Sequence, residues 1–339
     1  MATNADETLT LSEVRALARR ALAACGVTEA NLDPVAASVV AAEAEGIRSH
    51  GLARLPTYCE HARVGKVDGA AEPVAERPSP GALKVDARDG FAHPAIDLGL
   101  GELPDMARET GIAAMAVRNS YNCGVVGYHV ERLADRGLLA LGFVNAPASI
   151  APFGAKDPVF GTNPVACAVP RPDGAPLVID QSSSVVAKSE IVVHKQKGEA
   201  IPEGWALDAA GAPTTDPEAA LAGGTMVPFG GHKGANQALL VELLAAVLTG
   251  ATLSLDASSF ATNDGGPPRT GQFFIAMAPE TFGGSRYPDR LTRLLTAVSE
   301  QDGGRLPGEG RLAARARTTR AGVAVPASLL DTIRRYAVT

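Results

Sequence analysis

The sequence is short of cysteine and of long apolar runs, and each shortage removes a class of protein. Its four cysteines, Cys25, Cys59, Cys123 and Cys167, stand far apart in 339 residues with no C-x-x-C pair. Neither the disulfide framework of a small secreted domain nor a zinc knuckle has that spacing. They read as reduced, mostly buried thiols, and no metal site is expected. The longest apolar run, residues 238–251, is interrupted by Glu242 and is too short to span a bilayer, so it predicts a buried helix. A basic excess is also missing: 31 Lys and Arg face 37 Asp and Glu, a net charge of −6. A nucleic-acid partner, which calls for a basic face, is disfavoured. Residues 1–9 are polar and acidic and lack the basic and apolar regions of a signal peptide. The expectation is a soluble, cytoplasmic protein with no membrane partner.

Nucleotide and metalloprotease signatures are absent too. No G-x-G-x-x-G follows a strand pattern, no G-x-x-x-x-G-K-S/T occurs, and there is no H-E-x-x-H. These gaps disfavour a Rossmann dehydrogenase and a P-loop NTPase. What is present is an ordinary globular balance, 46% hydrophobic and 20% charged, in a chain long enough for one large or two interlocked domains. Thr10 and Glu13 have capping-box spacing, followed by apolar residues at helical intervals up to Gly26. A second helix is expected over residues 33–45, ending just before Arg48-Ser49-His50-Gly51 and leaving His50 at a helix-to-loop junction. Residues 67–80, rich in Pro, Gly and Ala, read as a connection. Helices then alternate with strands: helix 94–110, strand 112–118, helix 124–136, strand 138–144, strands 165–169 and 177–179, helix 235–248. That alternation predicts a layered α/β core. Residues 258–270 read as a surface loop, and Trp205 as packing.

Several segments, in order, are similar to one family. They are Ser49-His50-Gly51 with Arg54 and Tyr58; Asn119-Ser120 with Gly124; Gly161-Thr162-Asn163-Pro164; and Asp180 with Ser182 to Ser184. Ile201-Pro202-Glu203-Gly204-Trp205-Ala206-Leu207-Asp208, Pro213-Thr214-Thr215-Asp216-Pro217, Phe229-Gly230-Gly231-His232-Lys233-Gly234 and Pro307-Gly308-Glu309 complete the set. The chain resembles the malate/L-lactate dehydrogenase family of non-Rossmann, NAD(P)-dependent oxidoreductases. That family also contains sulfolactate and ureidoglycolate dehydrogenases, 2,3-diketogulonate reductase and reductases of piperideine- and pyrroline-2-carboxylate. The resemblance implies an α/β fold in which a mixed-sheet cofactor domain, residues 116–304, is interlocked with a second domain built from residues 1–115 and 305–339. It implies a homodimer, NAD(H) or NADP(H), and a small-molecule substrate between lobes.

The resemblance also implies roles. Hydride transfer to a carbonyl requires a proton donor beside the oxygen, and histidine titrates in the right range. His50 takes that role, with Asp180 as its carboxylate partner. Arg48, Ser49, Arg54 and Tyr58 would contact substrate, Arg54 by a two-pronged grip on a carboxylate. Cofactor contacts would come from Ser120, Gly124, Thr162, Asn163, Asp180, Gln181, Ser182, His232, Lys233, Gly308, Glu309 and Gly310. Lys233, after a glycine pair and before a helix, suits a pyrophosphate. The bland alternatives are a His50 that satisfies a carbonyl, a solvated Lys233, and a turn at Thr162-Asn163.

The sequence departs from the family in the loop Asn119-Ser120-Tyr121-Asn122-Cys123-Gly124, where the family often has histidine at the fourth place and this chain has Asn122. Asn122 is a catalytic-site residue that cannot deliver a proton. The expectation is therefore reduction of a cyclic C=N bond, or of an unusual 2-oxo acid relying on His50, with His129 as a possible substitute donor. The alternatives are a malate- or lactate-like 2-hydroxy acid dehydrogenase, and a cofactor-binding dimer with little turnover.

Overall fold

The computed structural model describes residues 6–338; of the N-terminal stretch, residues 1–5 lie outside it. Thr10 opens the first helix as its spacing predicts. Its Oγ1 accepts from Glu13 N–H at 3.2 Å while Glu13 Oε2 accepts from Thr10 N–H at 2.7 Å, which satisfies orphan donors at both ends of the box. Helix α1 (Leu11–Ala23) buries Val14, Leu17, Ala18, Ala21 and Leu22. Helix α2 (Glu29–Ala44) starts one turn earlier than the sequence suggested and carries Pro34 inside it. Proline near a helix start forfeits one backbone bond, and α2 is so thoroughly buried that packing outweighs the loss. Two 3₁₀ turns, Arg48–His50 and Leu52–Arg54, lead into α3 (Leu55–Arg63). The chain's other end closes this layer. Strand β1 (Glu7–Leu9) pairs antiparallel with β12 (Val323–Val325), and α12 (Ala327–Ala337) packs Leu330 and Ile333 into the same core.

The large sheet has seven strands: β2 (Val74–Ser79), β3 (Ala82–Asp86), β4 (Ile112–Ser120), β5 (Leu139–Val144), β6 (Val165–Val169), β7 (Leu177–Gln181) and β11 (Thr270–Met277). Their order is β2-β3-β4-β11-β5-β6-β7. Only β3 and β4 run parallel, joined by α4 (Ala92–Thr110); every other neighbouring pair is antiparallel. The mixed sheet is thus the one expected. The boundary anticipated at 115/116 falls inside β4, and β2, β3 and α4 belong to the sheet layer. Strand β2 lies in the stretch read as a connection. It is a mostly exposed edge strand containing Pro78, the position where a sheet tolerates a missing donor, so no alternation marks it.

Helices α4 and α5 (Val126–Ala134) cover one face of the sheet. Helix α8 (His232–Glu242), prolonged by a π-helical turn over Leu243–Val247, sets Val241 and Ala245 against the other beside Phe143. A Cβ on Gly271 of β11 would come within 1.9 Å of Ala245 O, so glycine there lets helix and strand backbones meet. Between β7 and α8 lie α6 (Lys188–Lys197), α7 (Pro217–Leu221) and the small sheet of β8 (Ala206–Leu207), β9 (Pro213–Thr214) and β10 (Thr225–Met226). Trp205 packs against their core, as expected. The surface loop 258–270 is pinned to the first layer by Phe260 against Tyr121 and by Lys66 Nζ on Asp264 O. Helices α9 (Pro279–Gly283), α10 (Tyr287–Ser299) and α11 (Glu309–Ala321) follow β11. Among the described residues no helix is long and apolar enough to cross a membrane, and no group of His, Cys, Asp or Glu could hold a metal ion. All four thiols are free, three of them buried.

Candidate active site

The end of α2 builds the first part of the site. Glu43 is buried, and its Oε1 accepts the N–H of Leu52 at 2.6 Å, folding the Ser49-His50-Gly51 turn back onto the helix. Burial pushes the Glu43 carboxyl up. A Cβ on Gly51 would lie 2.2 Å from Glu43 Oε1, so that glycine is needed for close approach, not for an unusual φ. The turn leaves His50 partly buried. Its Nδ1 shares a hydrogen bond with Ser49 Oγ at 3.0 Å, and Nε2 has no partner among the described residues. Burial, then the nearby Arg54 charge, lowers the His50 pKa to about 4.

Arg54 stands at the start of α3. Its Nε is sealed from solvent without a hydrogen-bond partner, and no carboxylate pairs with its guanidinium among the described residues. The same charge acts on Tyr58, one turn further along α3 and fully buried. Arg48, in the first 3₁₀ turn, is exposed.

Tyr58 ties α3 to the loop after β4. Its O–H donates to Asn122 Oδ1 at 2.8 Å, and Gly124 N–H donates to the same oxygen at 2.9 Å. The loop is rigid for identifiable reasons. Asn119 takes φ 52° while its Nδ2 donates to both carboxylate oxygens of Asp86 at 3.0 Å. Tyr121 is buried with its O–H 2.6 Å from His61 Nδ1. Gly124 has φ 71°, and a Cβ there would meet Ser38 Oγ at 2.8 Å. His129, considered as a substitute donor, is fully buried beneath the loop with Nε2 2.8 Å from Cys123 O. Burial drives its pKa to about 4. It braces the loop and is not presented to a substrate.

Asp180 approaches the same loop from the end of β7. Its Oδ2 accepts from Gly127 N–H at 2.8 Å, capping the start of α5, and no hydrogen bond joins it to His50 among the described residues. Burial raises its pKa against the lowering effects of the Gly127 bond and of Arg311. A Cβ on Gly127 would touch Arg311 Nη1 at 2.6 Å and Asp180 Oδ2 at 2.8 Å, so these three converge. Arg311 Nε donates in turn to Glu45 Oε2 at 2.6 Å. Arg315 bonds Glu45 and forks onto Glu131 at 3.0 and 2.7 Å. This ionic chain was missed in the sequence. Its visible trace is Glu45, a buried acid just after the apolar second half of α2.

The residues assigned to the cofactor gather along the β7 edge. Gly308, with φ 86° at the start of α11, would place a Cβ 3.1 Å from Val178 O, two residues before Asp180. Gln181, Glu309 and Gly310 are exposed nearby in the chain. Ser182 bonds Ser184, while Ser183 N–H donates to Thr162 O at 2.7 Å and its Oγ to Asn163 O at 2.9 Å. Phe229 N–H donates to Ser183 O at 3.0 Å, bringing the start of α8 alongside. There Gly230 and Gly231 both have positive φ, and His232 and Lys233 are exposed, His232 stacking edge-on to Phe153. Exposed cationic and polar side chains at a helix start suit a dinucleotide's pyrophosphate. Two residues stand apart. Asn163 is fully buried, its Nδ2 donating to Ala238 O and Glu242 Oε2, each at 2.9 Å. Ser120 Oγ is buried against Thr270 O and Gln272. Their side chains serve the fold.

Residues 9–334 match the model of the family described as malate/L-lactate dehydrogenase. The chain belongs to that family. It is 46% identical over 97% of its length to a (2R)-3-sulfolactate dehydrogenase (NADP(+)) of Chromohalobacter salexigens, covering 98% of that protein. It is 41% identical to a Δ1-pyrroline-2-carboxylate reductase of Ancylobacter novellus, covering 95% of each chain. The crystal structure of Δ1-piperideine-2-carboxylate reductase from Pseudomonas syringae superposes with a TM-score of 0.90 at 35% identity, over 97% of this chain and 99% of that one. As a member of this family the chain is an NAD(P)-dependent oxidoreductase.

Proposed function

We propose that this enzyme transfers a hydride from NAD(P)H to C2 of a small 2-oxo or cyclic 2-imino acid, with Arg54 gripping the carboxylate and His50 handling the proton. Arg54 carries the reading. A guanidinium with Nε sealed and unpartnered is costly unless an anion completes it, and the substrate's carboxylate is that anion.

When bound, the nicotinamide supplies a hydride to C2. The π pair of the C=O or C=N bond moves to the heteroatom, which takes one proton. His50 Nε2 is the group placed to give it, and in the reverse direction to receive it. Burial and, after it, the Arg54 charge hold the His50 pKa down, so a carboxylate neutralising Arg54 removes the second of these and moves that pKa upward on binding. Asp180 holds the start of α5 in place behind the Asn122 loop. Lys233, His232 and Ser182 line the cofactor's path. The named activities of the relatives, a dehydrogenase and reductases, span both heteroatoms. Homodimerisation is supported by the apolar outer face of α8 and its π-helical extension, where Leu240, Leu243 and Val247 stand about half exposed. The reading places the enzyme in the cytoplasm, where its free thiols stay reduced.

The test is Arg54→Leu assayed by nicotinamide absorbance with NADH and NADPH against pyruvate, oxaloacetate and pyrroline-2-carboxylate. Loss of a charged hydrogen-bonding partner should raise KM by about 10- to 100-fold, with cofactor affinity kept. An unchanged KM for every acid the enzyme turns over would remove Arg54 from the substrate site.

A further inference from the structure

The structure fixes which end of the Asn122 carboxamide is free. Oδ1 is used twice, by Tyr58 O–H at 2.8 Å and Gly124 N–H at 2.9 Å. Turning the carboxamide over would set Nδ2 against two donors, one of them a backbone N–H that cannot reverse. A buried donor deprived of its acceptor costs about 1–3 kcal/mol. Nδ2 is therefore the end left over, and it has no acceptor among the described residues. Asn122 and Arg54 share Tyr58 as a neighbour: Tyr58 holds Asn122, lies one turn of α3 beyond Arg54 and feels its charge.

We propose that Asn122 Nδ2 donates a hydrogen bond to the heteroatom on C2 and thereby makes the enzyme prefer 2-oxo acids over protonated cyclic 2-imino acids, so that of the two substrate classes expected from the sequence it selects the oxo acid and not the cyclic imine. The inference rests on the roles given above to Arg54 and His50 and narrows them to one substrate class. A ketone oxygen is an acceptor, and it gathers negative charge as the hydride reaches C2. A fixed donor aimed at such an oxygen contributes about 10²–10³-fold to turnover. The nitrogen of a protonated imine presents N–H and a positive charge. Facing Nδ2–H₂ it meets donor with donor, and the amide does nothing for it. Asn122 transfers no proton; the single proton that the reduced oxygen takes comes by way of His50.

The test compares kcat/KM for pyruvate or oxaloacetate, whichever is faster, with that for pyrroline-2-carboxylate in wild type, Asn122→Asp and Tyr58→Phe. Aspartate has the same shape and still accepts from Tyr58 and Gly124, but it offers the pocket an acceptor in place of N–H₂. The wild type should favour the oxo acid, and Asn122→Asp should shift the ratio toward the imine by about 100-fold. Tyr58→Phe frees one side of Oδ1 and should move the ratio the same way by less, giving a reading even if the aspartate variant fails to fold. Cofactor affinity, followed by nicotinamide fluorescence, should stay put in both. A ratio unchanged within about threefold in a folded variant overturns the role of Asn122 while leaving Arg54 and His50 untouched. A wild type that reduces none of the three acids overturns the reading on which it rests.

Discussion

Four histidines of this chain are held neutral by their surroundings, and burial is the leading cause in each. His50, His61 and His129 have pKa values lowered to about 4, and His93 is lowered strongly as well. In an unfolded chain each returns to about 6.5. The folded state therefore binds fewer protons than the unfolded one between pH 6.5 and 4, so stability is complete above 6.5 and is lost as pH falls through that window. For the sealed ring of His129 the loss is on the order of 3 kcal/mol. Melting temperature should drop between pH 7.5 and 5, and His129→Gln, which keeps a donor for Cys123 O and cannot titrate, should flatten the slope. Equal slopes would mean that His129 is already charged in the native protein. The role proposed for Arg54 is reported directly by the KM of Arg54→Leu.

Among the elements, α11 acts as a clasp. Arg311 and Arg315 bring it onto Glu45 of the α2 terminus and Glu131 of α5, with Glu45 and Glu131 side chains only 2% and 8% exposed. Arg315→Ala would leave both carboxylates short of a partner. Because Arg315 itself is 38% exposed, water softens the penalty to about 1–3 kcal/mol, less than for a sealed pair. Urea unfolding should show that loss, and an unchanged midpoint would show that the clasp holds nothing. Sequence periodicity found α1, α4, α5 and β4 to β7 because each turns one apolar side to a core. It missed β11, the central strand, because Gly271 and Gln272 spoil the alternation where helix and strand backbones meet. Long-range ion pairs such as Arg315 with Glu45 leave no local pattern at all.

Across the whole molecule, the N- and C-terminal segments meet in one layer and the sheet forms the other, so a site residue can be far from its neighbours in sequence. His50, Arg54 and Tyr58 were legible as a motif, and their tie to Asn122 was not, since Tyr58 and Asn122 are joined only by folding. The inward turn of Ser120 and Asn163 was equally hidden, because a polar residue in a familiar motif does not reveal which way it points. The apolar outer face of α8 is the surface proposed for assembly. Leu243→Glu should convert a dimer to monomers in analytical ultracentrifugation, whereas a wild type that sediments as a monomer would remove the proposed assembly.

In the proposed mechanism the His50 ring reaches the reacting atom and takes no part in holding the cofactor. Stopped-flow reduction of the preferred acid by His50→Gln, beside a fluorescence titration of NAD(P)H, measures both halves in one variant. Hydride transfer should slow by about 10²–10⁴-fold with the cofactor Kd within twofold of wild type. Transfer at the wild-type rate, or a loss explained entirely by weakened cofactor binding, would contradict it.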